Sequence, residues 1–223
     1  MAQKPEAAPI DIIRPQIAHI EIPIIGDSIL VSNGWSEKAK KALREAGVKV
    51  VKKKKDPRDP DGDFRGTLYR SIDGWYGLPA IAFKTSAVEA CRYIDGMTMV
   101  QARGTLFVQP DGLDASGIGL VRIFGDGPHI REDVVRVGMG KADLRYRGYW
   151  RRWAATVTVR FNENVISTSQ IANLFAIAGL HCGVADGRPT SPSGTMDWGL
   201  WHMAETDEFT KFLKSHKAEA VPA

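Results

Sequence analysis

Cysteine is scarce. Cys91 and Cys182 are the only two in 223 residues, which excludes a disulfide framework and a four-cysteine metal site. Long apolar runs are missing as well. Residues 164–185 carry no charge, yet they include Asn164, Ser167, Gln170, Asn173 and His181. Their dense apolar part falls short of the roughly 20 residues that span a bilayer, so a buried helix is expected. Residues 1–15 lack the apolar segment of a secretory signal. A cytoplasmic protein with no membrane partner is therefore expected.

The motifs of several chemistries are also missing. No Gly-Lys-Ser/Thr loop is present to cradle phosphates, and Gly138-Met139-Gly140 lacks the third glycine of a dinucleotide fingerprint. No serine sits in a Gly-x-Ser-x-Gly turn. His19, His129, His181, His202 and His216 show no ligand spacing, and the neighbours His181 and Cys182 are poor joint ligands. Cys182 reads as a small buried hydrophobe rather than a nucleophile. Residues 56–63 (DPRDPDGD) look like half a calcium loop. Counted from Asp59, however, Phe64 stands where glycine is required and Arg70 where glutamate is required. A mobile acidic loop is expected there instead. No metal, cofactor or catalytic group is assigned, and no internal repeat is found.

What is present is a globular composition with uneven charge. The chain is 43% hydrophobic and 25% charged, which is compatible with a buried core. Its net charge is only +4. Residues 35–55 nevertheless hold nine Lys/Arg against two Glu, a net of +7. Residues 141–160 hold six against one Asp, a net of +5. Two such local positive fields attract a polyanion.

Periodicity orders the elements. Residues 17–25 alternate and are rich in isoleucine, so they predict a strand, with Pro23 placing it at an edge or a bulge. Trp35, Ala39, Ala42, Leu43 and Ala46 form one apolar stripe, which predicts a helix over 36–46 that Gly47 stops. Ser86 and Glu89 have capping-box spacing ahead of a helix at 87–95. Strands are expected at 102–108, 119–124 and 131–137, with a hairpin-type turn at 125–128. Residues 154–161 (AATVTVRF) form the clearest strand. Ser167 and Gln170 then cap a helix that Gly179 ends. A glycine-rich loop at 183–199, a strand at 200–203 and an amphipathic helix at 208–217 complete the chain.

One segment carries chemistry. In LRYRGYWRRW (residues 144–153), Arg145, Arg147, Arg151 and Arg152 alternate with Tyr146, Tyr149, Trp150 and Trp153. Guanidinium forks bind phosphates bidentately, and aromatic faces stack on unpaired bases. In an extended segment Tyr146 and Trp150 share a face, and Gly148 leaves room between them for a planar base if the strand bulges there. Trp150 is then the expected stacking residue. The competing expectation packs Tyr146 and Trp150 in a core beneath arginines held as cation–π partners. Lys38, Lys41 and Arg44, off the apolar stripe of the first helix, would add charge. Lys52, Lys53, Lys54 and Lys55 would add more without fixed geometry.

Three stretches, IEIPIIGDSILVSNGWSEKAKKAL, VRVGMGKADLRYRG and VRFNENVISTSQIANLFAIAGL, resemble a tailed-phage and prophage protein family without an assigned activity. That resemblance implies a bacterial host cell as the setting. A second resemblance is architectural. A strand at 154–161, a helix, a glycine-rich loop and a closing strand are similar to RAMP proteins, the ferredoxin-like subunits of CRISPR effectors. In that family the loop and basic hairpins hold single-stranded RNA, and backbone subunits stack into filaments. By position this resemblance implies that Gly183, Gly187, Arg188, Gly194 and Gly199 line the strand, although Pro189 and Pro192 interrupt the loop. One ferredoxin-like half is recognisable.

The expected fold is α+β: a mainly antiparallel sheet with two or three packed helices, in an RRM- or ferredoxin-like arrangement. A disordered arm (1–15), a single domain (16–204) with a mobile loop at 52–65, and a C-terminal helix and tail (205–223) are expected. The expected function is non-enzymatic binding of single-stranded RNA or DNA, by a homo-oligomer or a subunit of a larger complex. Two alternatives stand beside it. One is a virion or assembly protein that uses the basic–aromatic segment as a subunit interface; the other is a nuclease whose carboxylates converge only in three dimensions.

Overall fold

The computed structural model describes residues 13–34, 59–137, 141–191 and 196–216. The expected helix at 36–46, the run Lys52–Lys55, Gly194 and the two termini lie outside them. In chain order the elements are β1 (Ile17–Gly26), β2 (Leu30–Ser32), α1 (Pro60–Arg65), β3 (Tyr69–Arg70) and β4 (Tyr76–Pro79). Then come α2 (Ala80–Ala90), α3 (Met99–Thr105), β5 (Leu106–Gln109), β6 (Gly112–Leu113), β7 (Gly119–Arg122) and β8 (Phe124–Gly125). The chain continues with β9 (His129–Val137), β10 (Lys141–Trp150), β11 (Trp153–Asn162), α4 (Thr168–Ile177), β12 (Trp201–Met203) and α5 (Thr206–Ser215).

The clearest sequence alternation becomes the centre of the main sheet. β11 pairs antiparallel with β1 from Ile17↔Asn162 to Ile25↔Ala154, and with β5 on its other side. The sheet order is β12-β1-β11-β5, with β8 also on β11. Taken as β1-α2-β5-β11-α4-β12, the chain places its fourth, first, third and second strands side by side. That is the split β-α-β, ferredoxin-like connectivity. Both halves are therefore present, and the α+β reading stands. The first half is hidden in the sequence because a long insertion separates β1 from α2, and a second separates β5 from β11. The insertions build a β2-β10-β9 sheet and a β3-β4-β7-β6 sheet.

β1 lies between β12 and β11 in unbroken register, so Pro23 marks neither the edge nor the bulge expected, yet its chemistry is accommodated. Its carbonyl accepts from Ala204 N–H at 2.9 Å, on the side facing away from β11. A strand residue points its nitrogen and its carbonyl the same way, so the missing donor costs the β1–β11 ladder nothing.

One face of the sheet is covered by α2 and α4. Phe83, Ala87, Ile171, Leu174 and Phe175 pack there with Ile22, Ile24, Val157, Val159 and Phe161 in one buried cluster. On the other face α5 covers one end, where Phe212 joins Ile25, Ala154 and Ala204. The remaining rows of that face are open.

Several local expectations are corrected. α2 starts at Ala80, directly after Pro79, and Ser86 lies inside it with a buried, unpartnered hydroxyl. The Ser86–Glu89 pair is therefore no cap: the apolar run before it is already helical, and Pro79 sets the start. Residues 102–105, expected in a strand, belong to α3, because Thr98 and Gln101 form a capping box that turns the chain helical before β5. Residues 60–65, expected within a mobile loop, form α1, where Asp59 Oδ1 accepts from Gly62 N–H at 2.9 Å. The turn at 125–128 joins strands of different sheets and is not a hairpin. Beyond α4 the chain continues as a π-helical turn, Ala178–Cys182, past the expected stop at Gly179.

The two serine motifs give opposite expectations. Ser167 caps α4, with its Oγ accepting from Gln170 N–H, so Ser167→Ala is expected to cost about 1 kcal/mol. Ser86→Ala removes a buried hydroxyl that has no partner and is expected to cost nothing. Urea-denaturation midpoints of the two variants check this, and equal losses would contradict it.

Candidate nucleic-acid interface

β10 carries the basic–aromatic segment. Its register with β9 runs unbroken from Lys141↔Val137 to Tyr149↔His129, so the bulge expected near Gly148 is absent. The space expected for a base is filled. A Cβ on Gly148 would lie 2.1 Å from Leu68 Cδ2, because the segment after α1 packs on that face. Trp150 is 1% exposed and belongs to the main core. This corrects its expected stacking role: alternation put Tyr146 and Trp150 on one face but could not say that this face is the inner one.

The opposite face of β10 is the one that meets the glycine-rich loop. Arg147, 5% exposed, donates to Asp133 of β9 at 2.8 Å and to Asp186 of the loop. Its guanidinium also lies 5.7 Å from the Trp198 ring. Arg147 thus acts as a joint and is not an accessible phosphate ligand. Around it the groups are half-buried or exposed. Arg131, held by Asp133 at 2.9 Å, lies over Trp198 at 4.7 Å and over Tyr149 at 5.9 Å. Arg151 reaches Tyr149 from the far side, its Nε donating to the phenol oxygen at 3.2 Å, and His129 tilts against the same ring. Arg145, Arg151 and Arg152 are exposed, Tyr146 and Tyr149 half-buried. Arg152 also lies 5.7 Å from the Phe212 ring of α5.

The loop glycines have structural work inside the loop. Gly183, Gly187 and Gly199 hold φ of +67°, +70° and +68°, the left-handed region that other residues avoid. A Cβ on Gly187 would strike the Trp198 ring at 2.3 Å, and one on Gly199 would strike Val184 O at 2.0 Å. They let the loop fold back on itself, which seats Trp198 against the hairpin. Arg188 donates to Ala185 O at 3.1 Å and lies 3.9 Å from Glu89. With Asn33, Tyr69, Thr85 and Asp186 it lines a cleft of about 300 Å³.

Sequence reasoning missed Trp198 and Arg131. An aromatic inside a glycine-rich loop was the available signal for the first. Arg131 was disguised by its neighbours Glu132 and Asp133. Cys182 is buried, and burial first, then the Glu89 charge, pushes its thiol up to about 12, so it holds no thiolate. Among the described residues no cluster of three His, Cys, Asp or Glu could hold a metal ion. No described helix is long and apolar enough to cross a membrane.

Arg147 sits between two carboxylates, and removing it strands Asp186 and leaves Asp133 with Arg131 alone. Arg147→Ala is expected to cost about 3–5 kcal/mol in a denaturant melt; a loss below 1 kcal/mol would mean that the cluster behaves as a surface pair.

A second polar cluster holds α5. His202 of β12 contacts Asp27 through Nδ1 at 2.6 Å and Glu208 of α5 through Nε2 at 3.2 Å. Burial lowers the imidazole's pKa, but hydrogen bonds and charge from Asp27 and Glu208 outweigh it and raise it. A raised folded value means that this clamp is fully formed below the unfolded value of about 6.5 and is lost as pH rises through the folded one. An NMR titration should find His202 above its ordinary range, and Glu208→Gln should lower it. A value at or below that range would contradict the clamp.

No protein-family model matches the chain, and no curated protein matches it. The tailed-phage resemblance therefore gains no support. Among solved structures the chain is similar to the crystal structure of Cmr6 from Pyrococcus furiosus. The two share 11% identity over 85% of this chain and 99% of that one, with a TM-score of 0.38.

Proposed function

We propose that the chain binds single-stranded nucleic acid, RNA or DNA, without cleaving it, along the surface where the β9–β10 hairpin meets the glycine-rich loop. The observation that carries this reading is the stack of Tyr149, Arg131 and Trp198, rimmed by Arg145, Arg151 and Arg152. Bases stack on aromatic rings and on guanidinium planes alike, and phosphates bind cations within a nucleotide's reach; half-buried rings, guanidinium planes and exposed cations share this one surface. The lysine-rich residues 35–55, including Lys38, Lys41, Arg44 and Lys52–Lys55, add long-range attraction in this reading.

The hairpin's other face supports membership of a larger complex or a homo-oligomer. There β9 leaves Ile130 47% and Val134 71% exposed. In this reading Ile130 and Val134, with the exposed Glu132 between them, meet protein while the cationic face meets the strand. The basic–aromatic segment is a poor subunit interface by itself, because Arg147 and Trp150 are already used within the chain.

Fluorescence anisotropy with a labelled single-stranded oligonucleotide tests the proposal. Affinity should fall by orders of magnitude from low to moderate salt, as released counterions require. Tyr149→Ala should lose roughly 1–3 kcal/mol of affinity, and the exposed Arg151→Glu should weaken binding without changing the melting temperature. A flat salt response, or unchanged affinity in both variants, would overturn it.

A further inference from the structure

The face of the main sheet opposite α2 and α4 carries a second cationic–aromatic surface. Residues paired across strands share a face. The pairs His19↔Arg160 and Arg160↔Phe107 therefore set His19, Arg160 and Phe107 in one row across β1, β11 and β5. All three are exposed, and they alternate with the buried Leu106, Val159 and Phe161. Phe107 is 38% exposed, although an edge-strand position with a core beside it could have hidden a ring. Arg160 approaches the ring at 5.2 Å, and Lys84 reaches it around the sheet edge at 4.3 Å.

The boundaries of this surface are chemical. One row on, Glu21 stands opposite Thr158, which ends the positive strip. Two rows further, Ile25 and Ala154 are covered by α5. Beside Phe107 a cleft of about 380 Å³ is lined by Lys84, Val108, Pro110 and Ile118, with the ring itself as one wall.

We infer that this row is a nucleotide-stacking site for single-stranded nucleic acid. A base stacks on Phe107, and its flanking phosphates are held by Arg160 and Lys84. Charge complementarity commits the site to a polyanion, and the exposed ring commits it to one with planar groups. Two cations held over one partly exposed ring favour a polyanion that carries planar groups. Neither central strand contributes a benzene-type or indole ring on this face. The stacking group therefore comes from the edge strand, where a nucleotide enters from the side. The inference rests on the single-strand reading above but concerns a different surface.

The test uses the full chain and a single-stranded oligonucleotide carrying 5-iodouracil. Irradiation should cross-link a peptide containing Phe107, identified by mass spectrometry. Phe107→Ala should weaken binding about fivefold or more, the lower end of one stacked base. Arg160→Gln, at an exposed position, should weaken it at an unchanged melting temperature and with a shallower salt slope. Wild-type binding that Tyr149→Ala weakens, while Phe107→Ala and Arg160→Gln do not, overturns this site and leaves the hairpin surface standing. The reverse pattern supports this site and overturns the hairpin surface. Absence of wild-type binding overturns both.

Discussion

Arg147 is the contact on which the arrangement of the parts depends. It grows from β10, the strand shared by the hairpin and the short β2, and it reaches Asp186 in the loop that leads to β12. One guanidinium thus ties the second insertion to the second half of the ferredoxin-like unit. Burying a cation carries a heavy desolvation cost unless it is paired on more than one side. Asp133 and Asp186 supply two pairs and the Trp198 ring a third neighbour, while Nε stays without a partner. Because the joint is ionic and directional, it fixes the angle of the hairpin against the loop. A greasy contact would let the two slide.

That joint also explains why the cationic surface has the composition it has. With Arg147 consumed, Arg131 is left leaning on Trp198 and Tyr149, and Arg151 on the other side of Tyr149. A surface of stacked rings and guanidinium planes is preorganised for flat, anionic ligands. The open sheet face repeats the same chemistry with Phe107, Arg160 and Lys84. Between the two, Arg152 lies over Phe212 of the helix that covers one end of that face.

Much of the core was legible in the sequence. β1, β11 and the capped start of α4 follow from strict alternation and from the Ser167–Gln170 box, because local chemistry and burial agree there. α2 was misplaced because Ser86 and Glu89 have cap spacing but lie within a turn already nucleated after Pro79. The first ferredoxin-like half was hidden because insertions part its strand from its helix and no local signal spans them. For LRYRGYWRRW, composition named a chemically active segment, but period-two alternation is symmetric. It could not say that Trp150 faces inward and Tyr149 outward, since the segment after α1 decides that by filling the space at Gly148. The loop glycines were legible as a loop; their positive φ serves the seating of Trp198.

Hydroxyl-radical footprinting with and without a single-stranded oligonucleotide tests the central claim most directly, because tyrosine and tryptophan rings report their own solvent access. Ligand is expected to protect Tyr149 and Trp198 while the already buried Trp150 stays unreactive in both states. Unchanged modification of Tyr149 and Trp198 at saturating oligonucleotide would contradict the account.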